Sequence, residues 1–109
     1  MNEERIEKLL ERFLVDFKEG KLKSCGWSTT VPAYNISKAV LNAYTRLLAK
    51  RYLKMHINCV HPGYVKTDIN WNYGVITPEE GAKGPVMLAL LPDGGPSGRY
   101  FDQTSMAEF

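Results

Sequence analysis

The 109 residues contain only two cysteines, Cys25 and Cys59, and two widely spaced thiols do not make a disulfide framework. The sequence predicts a half-buried Cys25 and a strand-core Cys59 in a reducing compartment. Metal chemistry is also poorly served. His56 and His61 lie near Cys59, but the spacing matches no zinc pattern, and in a strand His56 and Cys59 fall on opposite faces. No window approaches the roughly 20 apolar residues of a membrane-spanning helix. The start, Met1-Asn2-Glu3-Glu4-Arg5, is polar and acidic, unlike a secretory or transit leader. The expectation is a cytoplasmic protein with no membrane contact. Charge of one sign is lacking too. The formal net charge is +2 and the basic residues are scattered, so no nucleic-acid partner is expected. Finally, no G-x-G-x-x-G phosphate-binding fingerprint occurs.

What the chain does contain is periodicity. Ile6, Leu9, Leu10, Phe13, Leu14 and Phe17 mark one face of a helix over residues 3–18, with Asn2 able to cap its start and Gly20 its end. Residues 20–33 are rich in Gly, Ser, Thr and Pro and read as a loop. Trp27 in that loop is either a lid over the core or a pocket wall. A second helix is predicted over 33–52, burying Ile36, Val40, Ala43, Leu47 and Leu48. Met55 to Val60 alternates as a strand ended by Pro62-Gly63. Thr77-Pro78-Glu79-Glu80 is a capping box that opens a third helix, in which Pro85 is expected to kink the backbone. Arg99-Tyr100-Phe101 reads as a second strand, and the tail from Asp102 shows no period. Helices followed by strands point to an α/β fold with a parallel sheet.

One juxtaposition carries chemistry. Tyr34 and Lys38 are spaced i, i+4, so they share a helix face one turn apart. Reduction of a ketone requires a hydride at carbon and a proton at oxygen. A tyrosine with its ordinary pKa of about 10 is a reluctant donor, and a nearby ammonium stabilises its phenolate. The Pro62-Gly63 turn ends a strand, the place where open α/β sheets bind ligands. Gly63 permits close backbone approach. The Val65 backbone and the Thr67 hydroxyl are available to hold an amide or a phosphate.

Tyr34-Asn35-Ile36-Ser37-Lys38, then Asn58-Cys59-Val60-His61-Pro62-Gly63-Tyr64-Val65-Lys66-Thr67-Asp68, resemble the short-chain dehydrogenase/reductase family. Thr77-Pro78-Glu79-Glu80-Gly81-Ala82 and Leu91-Pro92-Asp93-Gly94-Gly95-Pro96-Ser97-Gly98 resemble its plant neomenthol dehydrogenase and salutaridine reductase branch, with carbonyl reductase more distant. The resemblance implies that Tyr34 is the proton donor and that Lys38 binds ribose and activates Tyr34. It assigns Pro62, Gly63, Val65 and Thr67 to the nicotinamide and phosphate contacts. The cofactor implied is NADP(H), with NAD(H) as the alternative, and the substrate a small hydrophobic ketone or alcohol. Residues 1–23 then correspond to the end of a helical insertion, or flap, and 24–109 to the C-terminal part of the catalytic domain.

The family's glycine-rich turn and catalytic serine have no counterpart in these residues. The expected fold is therefore the C-terminal portion of a Rossmann-like doubly wound sheet, with about three helices and two short parallel strands. Such a portion exposes the edge of its first strand and the helix faces meant for the rest of the sheet. The branch implies a monomer, while the open surfaces favour association. Two readings stand side by side: a reductase with little activity in this form, and a non-catalytic fragment that binds a full-length relative or has no role.

Overall fold

The computed structural model describes all 109 residues, Met1–Phe109. The first helix, α1 (Glu3–Lys18), begins where the Asn2 carboxamide accepts the Arg5 N–H at 2.9 Å. Two acidic residues fill its first turn, where they complement the helix dipole. It ends at Gly20, whose φ of +67° is a left-handed conformation that suits glycine. Of the predicted apolar stripe only Ile6 and Phe13 are buried, while Leu9, Leu14 and Phe17 remain exposed.

Trp27 is the anchor of the loop that follows. Its indole N–H donates to the Asp16 carboxylate at 2.8 Å, and its ring meets Phe13 edge-on with centroids 5.3 Å apart. Trp27 thus closes over the end of α1, as a lid does. Cys25, expected half-buried, is exposed.

Helix α2 (Pro32–Arg51) starts at Val31, a β-branched residue held at φ +39° with no side-chain cap, a backbone region that such residues rarely occupy. Pro32 at the first helical position suits the entry. The loop is fixed from behind by the Asn35 amide, which donates to the Thr30 carbonyl at 2.9 Å. Ala39, Val40 and Ala43 form a shallow apolar seam with Ile6 and Leu9 of α1. The stripe expected to be buried on α2 is only half-buried, and the one buried residue of the helix is Thr45.

The first strand, β1, is shorter than predicted and covers only Cys59–His61. The segment before it is tied largely by side chains, with one backbone bond from the Gly98 N–H to the Ile57 carbonyl at 2.7 Å. The Ser97 hydroxyl accepts the Ile57 N–H, and Asn58 donates to the Pro96 carbonyl while accepting the Arg99 N–H. A 3-10 turn, η1 (Asp68–Asn70), precedes α3 (Pro78–Ala89). The Thr77–Glu80 capping box is present in both directions, and α3 runs on through Pro85 as a single helix. Two strands close the chain, β2 (Tyr100–Asp102) and β3 (Ser105–Ala107).

The sheet order is β1-β2-β3, with β1 and β2 parallel and β2 and β3 antiparallel. Three strands therefore replace the two expected. The tail folds back as a hairpin whose β3 is exposed throughout, so it carries no hydrophobic alternation to betray it. α2 and α3 lie on opposite faces of this sheet. Successive strand residues point to opposite sides. Cys59 meets the Thr45 hydroxyl of α2, whereas Val60 lies where a Cβ on Gly84 of α3 would be 3.0 Å from its Cγ2. The result is a three-helix, three-strand α/β unit of the Rossmann-like kind.

This unit is loosely filled. Ile6, Phe13 and Phe101 are its only buried hydrophobic residues. It exposes 8338 Å² of surface, where a compact chain of this mass exposes about 6,100 Å². Its radius of gyration is 16.4 Å, against about 13 Å for a compact domain of this length.

Candidate active site between α2 and β1

Tyr34 and Lys38 occupy the same face of α2, and the Lys38 ammonium sits over the Tyr34 ring, 5.7 Å from its centroid. That face continues through Leu41, Asn42 and Thr45, and these five residues form one wall of a groove of about 720 Å³. The opposite wall is β1 with its flanks, from Asn58 through His61 to Pro62 and Gly63. The fold thus brings together four of the predicted site residues: Tyr34, Lys38, Pro62 and Gly63. Tyr34 is 63% exposed, so water screens the Lys38 charge beside it.

Val65 and Thr67 do not line the groove; they lie past the turn. Lys66 N–H donates to the Ile76 carbonyl at 2.9 Å, and a parallel bridge joins Val65 to Ile76. The Val65 N–H has no hydrogen-bond partner in the fold, whereas its carbonyl accepts from the Asn70 amide at 2.8 Å. Asn70 also accepts the Thr67 N–H at 3.0 Å. The Thr67 hydroxyl donates no hydrogen bond.

Two residues that organise this region escape the sequence reading. Asn70 clamps Val65 and Thr67 from within η1. His61, considered there only as a metal ligand, accepts the Gly63 N–H on Nδ1 at 2.8 Å and so braces the turn. A histidine two residues before the glycine of a turn is the signal that could have found it. Gly63 itself has a φ of +97°, and a Cβ there would lie 2.6 Å from Ile76 Cδ1. Only glycine fits this turn without displacing its neighbours.

Two aromatic residues that follow the turn, Trp71 and Tyr73, do not line the groove. Left-handed backbone at Trp71 and Asn72 turns their loop outward, leaving Trp71 86% exposed. A free amide N–H at Val65, a glycine turn and a lysine on the facing helix fit the nicotinamide and ribose end of a dinucleotide. The chain offers no glycine-rich cradle for its phosphates.

No protein-family model matches the chain. Individual relatives do. Short-chain dehydrogenase/reductase 1 of Saponaria officinalis is 52% identical over 109 residues, all of this chain and 36% of that protein. The chain belongs to the plant branch of the short-chain dehydrogenases/reductases. The (+)-neomenthol dehydrogenase of Arabidopsis thaliana is 48% identical over the whole chain and 37% of its own length. The structure of salutaridine reductase from Papaver somniferum superposes with a TM-score of 0.86 at 49% identity, covering 94% of this chain and 34% of that one. The chain therefore spans about a third of the length of these family members and matches their C-terminal part. No helix is long and apolar enough to cross a membrane.

Proposed function

We propose that the groove is the proton-transfer side of a carbonyl reductase or alcohol dehydrogenase site, acting on a small hydrophobic ketone or alcohol of the menthone and neomenthol kind. The observation that supports this most is the meeting of Tyr34, Lys38 and the Pro62-Gly63 turn in one groove. In this reading Tyr34 donates its phenolic proton to the carbonyl oxygen as the alcohol forms, and accepts it back in the reverse direction. Lys38 stabilises the negative charge left on the phenol oxygen and hydrogen-bonds the ribose. Pro62 and Gly63 shape the floor for the nicotinamide ring, the Val65 N–H holds its carboxamide, and Thr67 faces the phosphates. NADP(H) supplies the hydride when bound, with NAD(H) as the alternative carrier. Residues 1–23 act as the end of a flap, seated on α2 through Ile6 and Leu9.

The exposure of Tyr34 sets a condition on this chemistry. A cation stabilises a developing anion far better where water is excluded, so the groove must be covered before the pair becomes effective. The test is a fluorescence titration of the chain with NADPH and NADH, followed by turnover of menthone. Tyr34→Phe is expected to leave cofactor affinity within about twofold while lowering turnover by roughly 10²–10⁴-fold, the usual worth of a positioned acid. Turnover unchanged by that substitution, or no saturable binding by the folded chain, overturns the reading for this chain.

A further inference from the structure

His61 is tied into the turn at the end of the groove in a way that depends on where its proton sits. Its Nδ1 accepts the Gly63 N–H at 2.8 Å, so this nitrogen is unprotonated and the neutral ring carries its proton on Nε2. The bond runs from a side chain to the amide two residues on, the geometry by which asparagine and aspartate fasten turns. The glycine it fixes sits at φ +97° against Ile76 and Gln103. Ile76 is bridged to Val65 and accepts the Lys66 N–H at 2.9 Å, so a shift at Gly63 is carried to the Val65 amide. The titratable groups facing His61 are Tyr34 and Lys38 of α2 and Cys59 of its own strand, which share the groove with it, and Asp102, its register partner on β2. Gln103, whose N–H donates to the His61 carbonyl at 2.7 Å, is uncharged. α3 packs on the other face of the sheet, through Val60. The His61 ring forms no ion pair.

We propose that His61 is a positioning residue for the Pro62-Gly63 turn and holds it only while its ring is neutral. Protonation places an N–H on Nδ1, opposite the Gly63 N–H. Two donors then face each other, and the bond is replaced by a repulsion. The released ring has a second place to go. Asp102 lies beside it on β2, on the same side of the sheet. Its carboxylate attracts an imidazolium, whereas the Lys38 ammonium across the groove repels one. The neutral and the charged ring thus make different contacts, as a two-state element requires. Acid frees Gly63 and, through Ile76, the Val65 amide; neutral pH restores the turn. The consequence for a cofactor opposes simple electrostatics. A cation added beside the groove attracts an anionic ligand, but loss of the brace weakens the floor on which that ligand rests.

For the cofactor this role rests on the reductase reading above; for the turn it does not, and the two are measured separately. The isotope-labelled full chain, without cofactor, is titrated by NMR from pH 8 to pH 5, the window in which imidazoles gain a proton. The chain has two histidines, His56 and His61, so the ring signals missing from His61→Asn are those of His61. At pH 8 they should show Nδ1 unprotonated, and the Gly63 amide shift should follow the ring as it charges. Asparagine offers Oδ1 at the same branch point and does not titrate, so in His61→Asn the Gly63 amide should hold its pH 8 position throughout. His61→Leu, with no acceptor, should show the acid position at every pH. NADPH binding, read by fluorescence over the same range, should weaken about three- to tenfold more in the wild type than in His61→Asn, the weight of one hydrogen bond. That difference cancels the titration of the cofactor's own phosphates. A proton on Nδ1 at pH 8, a Gly63 amide that ignores the ring or moves equally in His61→Asn, or binding with the same pH dependence in both proteins overturns the proposal. A Gly63 amide that follows the ring in a chain that binds no cofactor upholds the turn's dependence on His61 and sinks the reductase reading for this chain.

Discussion

Strands β1 and β2 have the same length, run parallel and sit side by side in register, yet they live in different environments. β2 is paired on both edges, by β1 and by β3, and its central Phe101 is only 5% exposed. β1 is paired on one edge, and all of its residues retain access to solvent. Position in the sheet, not local sequence, makes the difference. Val60 is as good a strand former as Phe101, but one flank of Val60 faces a groove. The candidate site residues on that flank lie along the less protected of these two strands.

The largest effect is expected where β2 is best packed. Phe101→Ala removes one of three buried apolar side chains and should cost about 3–4 kcal/mol, enough to unfold a small, loosely filled chain at room temperature. Val60→Ala, at its register partner on β1, should cost about 1 kcal/mol, because part of that side chain never left water. Urea denaturation followed by circular dichroism measures both. Equal losses would erase the contrast between the strands.

Gly84→Ala probes what joins them. Its Cβ would fall 2.4 Å from the Gln103 carbonyl oxygen, beyond β2, and 3.0 Å from Val60 on β1. Backbone cannot yield as a flexible side chain does, so α3 must lift away from the sheet. A loss of about 1–3 kcal/mol is expected despite alanine's better helix propensity. A more stable variant would show that α3 is not seated on the sheet in solution.

Asp16→Ala tests whether the α1 end is energetically separate. It leaves the Trp27 indole N–H without its acceptor and should cost about 1–2 kcal/mol, with exchange at the β1 and β2 amides slowed or hastened no more than the global stability requires. A selective effect on β1 would join the two regions.

The sequence made some of this legible and hid the rest for physical reasons. α1 and the α3 capping box are written in local chemistry, a 3.6-residue period and reciprocal side-chain caps, and they stand where the residues predict. The i, i+4 spacing of Tyr34 and Lys38 likewise requires only a helix to become a shared face. Meeting the Pro62-Gly63 turn depends on tertiary packing, and the resemblance to a known family, not the period, pointed to it. β3 was invisible because its three residues are exposed on both sides. The late start of the β1 ladder was invisible because the Ser97 and Asn58 side chains, with partners some forty residues away in the chain, supply the bonds. The role of Trp27 stayed open between lid and pocket wall because its acceptor, Asp16, reads as one more charge on the polar face of α1.

The smallest effect uses the two thiols as reporters of the two environments. Cys25 is exposed in the loop after α1, and Cys59 lies on β1 facing α2. Burial pushes the Cys59 thiol above its ordinary range, partly opposed by the Thr45 hydroxyl and the positive charge of Arg46. The raised value means less thiolate at any pH below it, and the thiolate is the species that reacts. Iodoacetamide at pH 8 should therefore label Cys25 first, with Cys59 catching up only as pH rises further. The same sign applies to stability: the neutral buried thiol contributes in full below the unfolded thiol's pKa, and its contribution is lost as pH rises through the folded value. Arg46→Ala removes one of the opposing influences and should slow Cys59 labelling again by a modest factor. Mass spectrometry of the labelled peptides follows each site separately. A Cys59 that reacts as fast as Cys25 at pH 8 would mean that the α2 side of β1 is fully open, and that the thiol's position against Thr45 does not persist in solution.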